Sequence, residues 1–191
     1  MNLLHAIARK HRENLLHISE DIIFRWSPRV MSGEAVSEAE LKPLFEAARW
    51  APSGRNSQEW RFYYALRGEP AFDELYCLLS ENNQRWCAQA GALLVLASLK
   101  YYEGGQHFIR SHSLDTGMAF QNFAIEGTRR DLVVHPLGGF DRHKAEEFMR
   151  LGETYELEMM IAVGKPGDPA VVEADRQPTP RHVVEAFVQR L

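Results

Sequence analysis

Cysteine is nearly absent from the 191 residues: Cys77 and Cys87 are too few for a disulfide framework or a four-thiolate metal site. Both stand among apolar neighbours and read as reduced, packed thiols rather than a redox pair. An excess of one charge is missing as well. The 22 basic and 26 acidic residues leave a net charge of -4 with no long run of either sign, which argues against a nucleic-acid partner and leaves room for a local basic pocket. No apolar run reaches the ~20 residues of a membrane span. Residues 1 to 26 interleave apolar side chains with His5, Arg9, Lys10, His11, Arg12 and Glu13, unlike a secretory signal. A cytoplasmic protein with no membrane partner is therefore expected. Catalytic signatures are lacking too: there is no Gly-x-Ser-x-Gly elbow, Walker loop, His-Glu-x-x-His pair or Gly-x-Gly-x-x-Gly after a strand. Asp115 and Glu126 read as a helix cap and a solvated face, and no His/Cys set has metal-ligand spacing.

What is present suits a core of one domain, since 45% of the residues are hydrophobic. Leu3, Leu4, Ile7, Leu15, Ile18 and Ile22 recur at helical spacing, as one long helix or two shorter ones over residues 1–23. His5, His11 and His17 lie six apart, a rotation of about 600° on a helix, so they read as scattered surface groups. Ser37 and Glu40 form a capping box before Leu41, Leu44, Phe45 and Ala48. Trp60 to Leu66, the apolar run Ala92 to Leu99, Leu132 to Pro136 and Glu156 to Val163 read as strands, the second lying centrally in a sheet. Helices follow around Phe72 to Leu79, around Trp86, from Ser113 or Leu114 to about Arg130, and from Asp141 to Gly152. Gly117 inside the third of these suggests close packing. Gly104-Gly105 marks either a flexible segment near a site entrance or a plain surface loop. Asp168 to Pro180 reads as irregular, and Val183, Val184, Phe187 and Val188 as a last helix opened by Arg181.

Four separated segments stand out chemically. Arg25-Trp26-Ser27-Pro28-Arg29 sets two guanidiniums around a hydroxyl, suited to a phosphate or to a solvated basic turn. Pro52-Ser53-Gly54-Arg55-Asn56 is a loop whose residues tolerate unusual dihedrals and leave backbone NH groups free, or a simple connector. Gly138-Gly139 admits close approach of a ligand, or merely a turn. Arg181 adds another cation. If they converge, they form a site for an anionic, ring-bearing cofactor that carries the chemistry itself.

In this order the segments resemble the nitroreductase family of FMN-dependent NAD(P)H oxidoreductases, over about Phe24 to Val188. Arg25-x-Ser27-x-Arg29 is similar to the family's Arg-x-Ser-x-Arg/Lys motif. Residues 51–60 resemble its Ala-Pro-Ser-x-x-Asn-x-Gln-Pro-Trp loop, Asp115 to Asn122 its dimer-core helix, and His135 to Asp141 the backbone beside flavin N5. The resemblance implies an α+β fold with a mixed, largely antiparallel sheet flanked by helices, in an intertwined homodimer. Residues 24–191 would be that domain and residues 1–23 a helical extension. It implies FMN as cofactor, NADH or NADPH as donor, and a small-molecule acceptor such as a nitroaromatic or quinone, by a ping-pong mechanism. Arg25, Trp26, Ser27, Arg29, Pro52, Ser53, Gly54, Asn56, Gly138, Gly139 and Arg181 would bind FMN. Arg25, Ser27 and Arg181 would hold its phosphate and Arg29 would stabilise charge on the ring, with no catalytic side chain and no metal. Three positions depart from the pattern: Glu59 replaces a proline, Trp26 a basic residue, and Arg130-Asp131 a Gly-Leu step. Rival readings are a flavin-storage protein without turnover, a flavin dehydrogenase using another donor, and a structural helical adaptor.

Overall fold

Ser37 and Glu40 start the long helix α3, Glu38–Arg49, by reciprocal bonds: the Ser37 side chain accepts from Glu40 N, and Glu40 accepts from Ser37 N at 2.8 Å. In the computed structural model, which describes residues 2–102 and 105–191, that helix is one of eight among the described residues. Before it come α1, Leu3–His11, and α2, Glu20–Phe24, so the N-terminal pattern resolves into two short helices. The strands are β1, Trp60–Leu66, β2, Ala92–Leu99, β3, Val133–Leu137, and β4, Tyr155–Gly164, ordered β1-β2-β4-β3 with every pairing antiparallel. The remaining helices are α4, Pro70–Leu78, α5, Glu81–Cys87, α6, His112–Arg129, α7, Arg142–Met149, and α8, Pro169–Asp175.

The near-continuous apolar run of β2 has its cause in its place. As an inner strand it is buried on both faces: Leu93 and Val95 join one core, Leu94 and Leu96 the other. The first core takes Leu4 and Ile7 of α1, Leu75 of α4 and Met160 of β4; the second takes Leu41 and Leu44 of α3, Phe123 of α6 and Ile161 of β4. The sheet is thus a middle layer between two helical ones. Between Leu96 and Ala97 the β2–β4 register slips, so Glu158 opposes no residue of β2. That bulge turns its carboxylate toward Ser98 and Ser113, whose hydroxyls donate to Oε1 at 2.6 and 2.7 Å.

Several expectations are corrected. Residues 169–175 form α8, because the Asp168 side chain accepts from Ala170 N and Val171 N and Pro169 supplies a pre-set φ in the first turn. The C-terminal helix is absent: only a short 3-10 turn, Val184–Ala186, forms, and Val183, Val184, Phe187 and Val188 are exposed with nothing in the chain to bury them. Helix α7 ends at Met149 with Arg150 left-handed, ahead of Gly152. His17 lies between α1 and α2 at φ 53, whereas His5 is half-buried against Phe24 with ring centroids 5.7 Å apart. Cys87 is buried, its thiol pushed up to about 12 by desolvation, but Cys77 is exposed. Gly104 lies outside the described residues.

Close packing falls on Gly127 rather than Gly117. A Cβ at Gly127 would collide with Val134 Cγ2 of β3 and lie 3.2 Å from Leu44 Cδ2, whereas one at Gly117 meets no atom of the chain within 4 Å. Gly127→Ala should therefore destabilise the protein by about 1–3 kcal/mol in urea unfolding, through overpacking between α6 and β3.

Candidate active site

The chain ends its N-terminal arm at Arg12, and that guanidinium ties three segments together. Its Nη1 donates to Ile23 O at 2.5 Å and Arg25 O at 2.8 Å, and its Nε to Thr179 O at 3.3 Å. Arg181 Nη1 donates to the same Thr179 O at 3.3 Å and to Thr179 Oγ1 at 3.1 Å, while Arg25 Nη1 donates to Ser27 Oγ at 3.2 Å. Arg12 and Arg181 thus share the Thr179 carbonyl, and Arg12 also holds the backbone of Arg25. Burial followed by repulsion from Arg181 and Arg25 brings Arg12 down to about 10, and burial followed by Arg181 also lowers Arg25. Among the described residues none of the three has a carboxylate partner. Such a group of like charges suits a dianion.

Strand β3 brings the glycine pair to the same side. His135 Nδ1 lies 2.9 Å from Pro28 O, and because a carbonyl only accepts, Nδ1 carries the proton. Three residues on, among the described residues no atom beyond its chain neighbours lies within 4 Å of a Cβ built at Gly138. Gly139 is the opposite: a Cβ would stand 2.9 Å from Asn83 Nδ2 and from Ser80 Oγ, and its carbonyl accepts from Ser80 N and Asn83 Nδ2. Arg29 keeps a buried Nε with no partner. Trp26 turns the other way, its indole buried and donating to Leu4 O at 3.2 Å.

The Pro52–Asn56 segment sits elsewhere. Gly54 N donates to Asp115 Oδ2 at 2.9 Å, and Ser111 Oγ donates to the same oxygen at 2.8 Å, so the buried Asp115 anchors the loop to the start of α6 instead of capping that helix. The Asn56 and Gln58 NH groups are also engaged, with Ser53 O and Ser53 Oγ, contrary to the unpaired NH groups suggested by composition. Arg55, Asn56 and Gln58 all take positive φ, at roughly 1 kcal/mol or more each. Glu59 is fully buried, with Oε1 2.5 Å from Ser57 Oγ and Oε2 without a partner. Among the described residues no hydrogen bond joins this loop to Arg25–Arg29, Gly138-Gly139 or Arg181. Within one chain Arg25–Arg29 and Arg181 are joined through Arg12, and His135 ties the Arg25–Arg29 turn to the strand that leads into Gly138-Gly139.

Sequence patterns gave no sign of Arg12, which looks like any helix-end cation, or of Asp115 as a loop anchor. The bond from Arg12 to Thr179 O spans 167 residues and that from Gly54 N to Asp115 spans 61.

The model of the Nitroreductase family matches residues 22–78 and 66–165. The chain belongs to the nitroreductase family. Protein DrgA of Synechocystis sp. is 26% identical over 152 residues, 66% of this chain and 72% of that one. An uncharacterized 15.4 kDa protein of Mycolicibacterium smegmatis is 29% identical over 131 residues, 64% and 88% of the two chains. Among solved structures, an oxidoreductase containing FMN superposes with a TM-score of 0.86 at 27% identity, covering 93% of each chain. A nitroreductase family protein from Streptococcus pneumoniae gives 0.70 at 18% identity, covering 87% and 96%, a likeness of fold alone. The nitroreductase fold expected from the motifs is thus present.

Burial pushes the His135 imidazole down to about 4, against the opposing effect of its bond to Pro28 O and with help from Arg176 and Arg29. The unfolded chain takes up this proton near pH 6.5 and the folded one near 4, so the stability contribution is full above 6.5 and is lost as pH falls toward 4. Between pH 7 and pH 5 this costs about 2 kcal/mol, and His135→Gln should remove most of that loss in urea unfolding at the two pH values.

Proposed function

We propose that the protein is a cytoplasmic, homodimeric, FMN-dependent oxidoreductase that takes electrons from NADH or NADPH. It passes them to an electron-poor small molecule, such as a nitroaromatic or quinone, in a ping-pong cycle. The observation that carries this reading is the set of three guanidiniums, Arg12, Arg25 and Arg181, linked through the Arg25 and Thr179 carbonyls with Ser27 bonded to Arg25 and, among the described residues, with no carboxylate partner, a candidate cradle for a phosphate ester. FMN bound there would supply the hydride chemistry.

The chain's own residues would bind and orient. Arg25, Ser27 and Arg181 would hold the phosphate, and Arg12 would keep their segments together. The buried, unsatisfied Nε of Arg29 gives that residue a donor to spare for the ring, where its charge would favour the reduced, more anionic form. Gly138 leaves the open backbone that a flat ring needs. His135, neutral at working pH, would hold the Arg25–Arg29 turn against β3 through Pro28 O.

Pro52, Ser53, Gly54 and Asn56 would reach the ring of the second copy, since their own chain anchors them away from the cradle. A homodimer also accounts for Gly117. A glycine within a helix costs about 1 kcal/mol relative to alanine, yet among the described residues nothing presses on it. Neighbouring Leu114 is 69% exposed and Phe187 71% exposed, apolar surface that a partner would cover.

A protein that stays colourless after reconstitution with FMN overturns this reading. Removing the clamp should separate phosphate from ring: Arg12→Ala is expected to weaken FMN binding by roughly tenfold or more while shifting riboflavin by about twofold or less, read by flavin fluorescence titration. For the dimer, Gly117→Leu should shift the sedimentation profile toward monomer while the far-ultraviolet circular dichroism persists.

A further inference from the structure

A second basic place lies beyond the cradle, where the Pro52–Asn56 loop meets the start of α6. A cavity of about 430 Å³ opens there, lined by Arg55, Tyr102, His107, Phe108, Arg110 and Ser111. Its size suits a small molecule rather than a macromolecule. Among the described residues the lining holds two guanidiniums and an imidazole and no carboxylate, in a protein whose net charge is -4.

Among the described residues, two nearby acids are held by hydrogen bonds within the fold. Asp115 Oδ2 takes Gly54 N and Ser111 Oγ, and Glu158 Oε1 takes the Ser98 and Ser113 hydroxyls, with His112 Nδ1 at 3.7 Å. Among the described residues neither Arg55 nor Arg110 has a carboxylate partner or a hydrogen bond. The wall also offers ring surface. Arg55 lies over Tyr102 at 5.3 Å from the ring centroid, and Phe108 packs edge-on against Tyr101 and His112 while staying half exposed. The left-handed backbone at Arg55, held by the bonds around Gly54 and Ser57, sets that guanidinium at the cavity.

We infer that this cavity seats the anionic group of a ring-bearing electron acceptor, so that aromatic acids are preferred over their neutral analogues. The inference rests on the proposed function for the redox step and goes beyond it in naming the acceptor's charge. Two cations and two aromatic surfaces at one mouth select a planar anion by ion pairing and stacking together. The selection weakens with salt, because the cavity is open to solvent.

The holoenzyme decides this with the isosteric pair 4-nitrobenzoate and 4-nitrobenzamide. The kcat/KM ratio of acid to amide is expected to exceed one, to fall about tenfold in Arg110→Ala and in Arg55→Ala, and to drop below one in Arg110→Glu. A ratio that neither alanine substitution changes overturns the inference. So does an effect confined to KM for NADPH relative to NADH, which would give the cavity to the donor's extra phosphate instead. Should the protein bind no flavin, the proposed function fails and the cavity is still read by calorimetric titration with 4-nitrobenzoate. Binding that is lost in Arg110→Ala sustains the anion site, and no binding to the unsubstituted protein removes it.

Discussion

Like charges held together without a counter-ion raise the free energy of a folded protein, and the gathering of Arg12, Arg25 and Arg181 is the constraint around which this structure is arranged. Burial and mutual repulsion both work against the charged forms of Arg12 and Arg25. What keeps them in place is a set of carbonyl acceptors at Ile23, Arg25, Thr179 and Pro180. Those carbonyls come from the end of α2 and from the tail after α8, so the two ends of the chain are closed upon each other through one guanidinium. The arrangement spends stability on a binding surface, and an arriving dianion returns it as affinity.

The opposite end of the site rests on a different economy of charge. Asp115 is an acid in the first turn of α6, where the helix dipole favours it, and it stabilises the Gly54 loop without adding a free negative charge to the surface. Glu158 does the same by means of a β-bulge, its carboxylate absorbed by Ser98 and Ser113. Both acids are hydrogen-bonded into the scaffold and, among the described residues, neither pairs with Arg55 or Arg110. A strained stretch with Arg55, Asn56 and Gln58 at positive φ is tolerated because these bonds over-determine it.

Much of the fold was legible because it follows from local rules. The capping box at Ser37, the strand β1 and the doubly buried β2 are written in adjacent residues, and the structure has them within a residue of the expected bounds. Failures came where a local rule had two readings. Asp168 to Pro180 reads as irregular because of its prolines, but after Asp168 a proline is a helix starter. Val183 to Val188 have the helical period, but a period yields a helix only when its apolar face has something to cover it. At the site, Arg25, Ser27 and Arg181 were visible as chemistry, whereas Arg12 acts across 167 residues on a backbone carbonyl, a relation that no spacing encodes. Glu59, which stands where the family pattern has proline, has its side chain buried within its own chain, against Ser57.

The net charge of -4 gains meaning from this distribution. Taken as a sphere, the protein would repel anions weakly; its cations, however, are not spread evenly. On the surface many are cancelled locally, as in Arg9 with Glu20, Arg49 with Glu46 and Arg130 with Glu126. Such pairs contribute little stability, about 0–1 kcal/mol each, but they remove competing positive surface. The unpaired guanidiniums then stand out against a neutral or acidic background, which focuses the field on Arg12, Arg25 and Arg181 and, separately, on Arg55 and Arg110. A mildly acidic protein can in this way be selective for anions, because the cancelled charges decide where an anion does not bind.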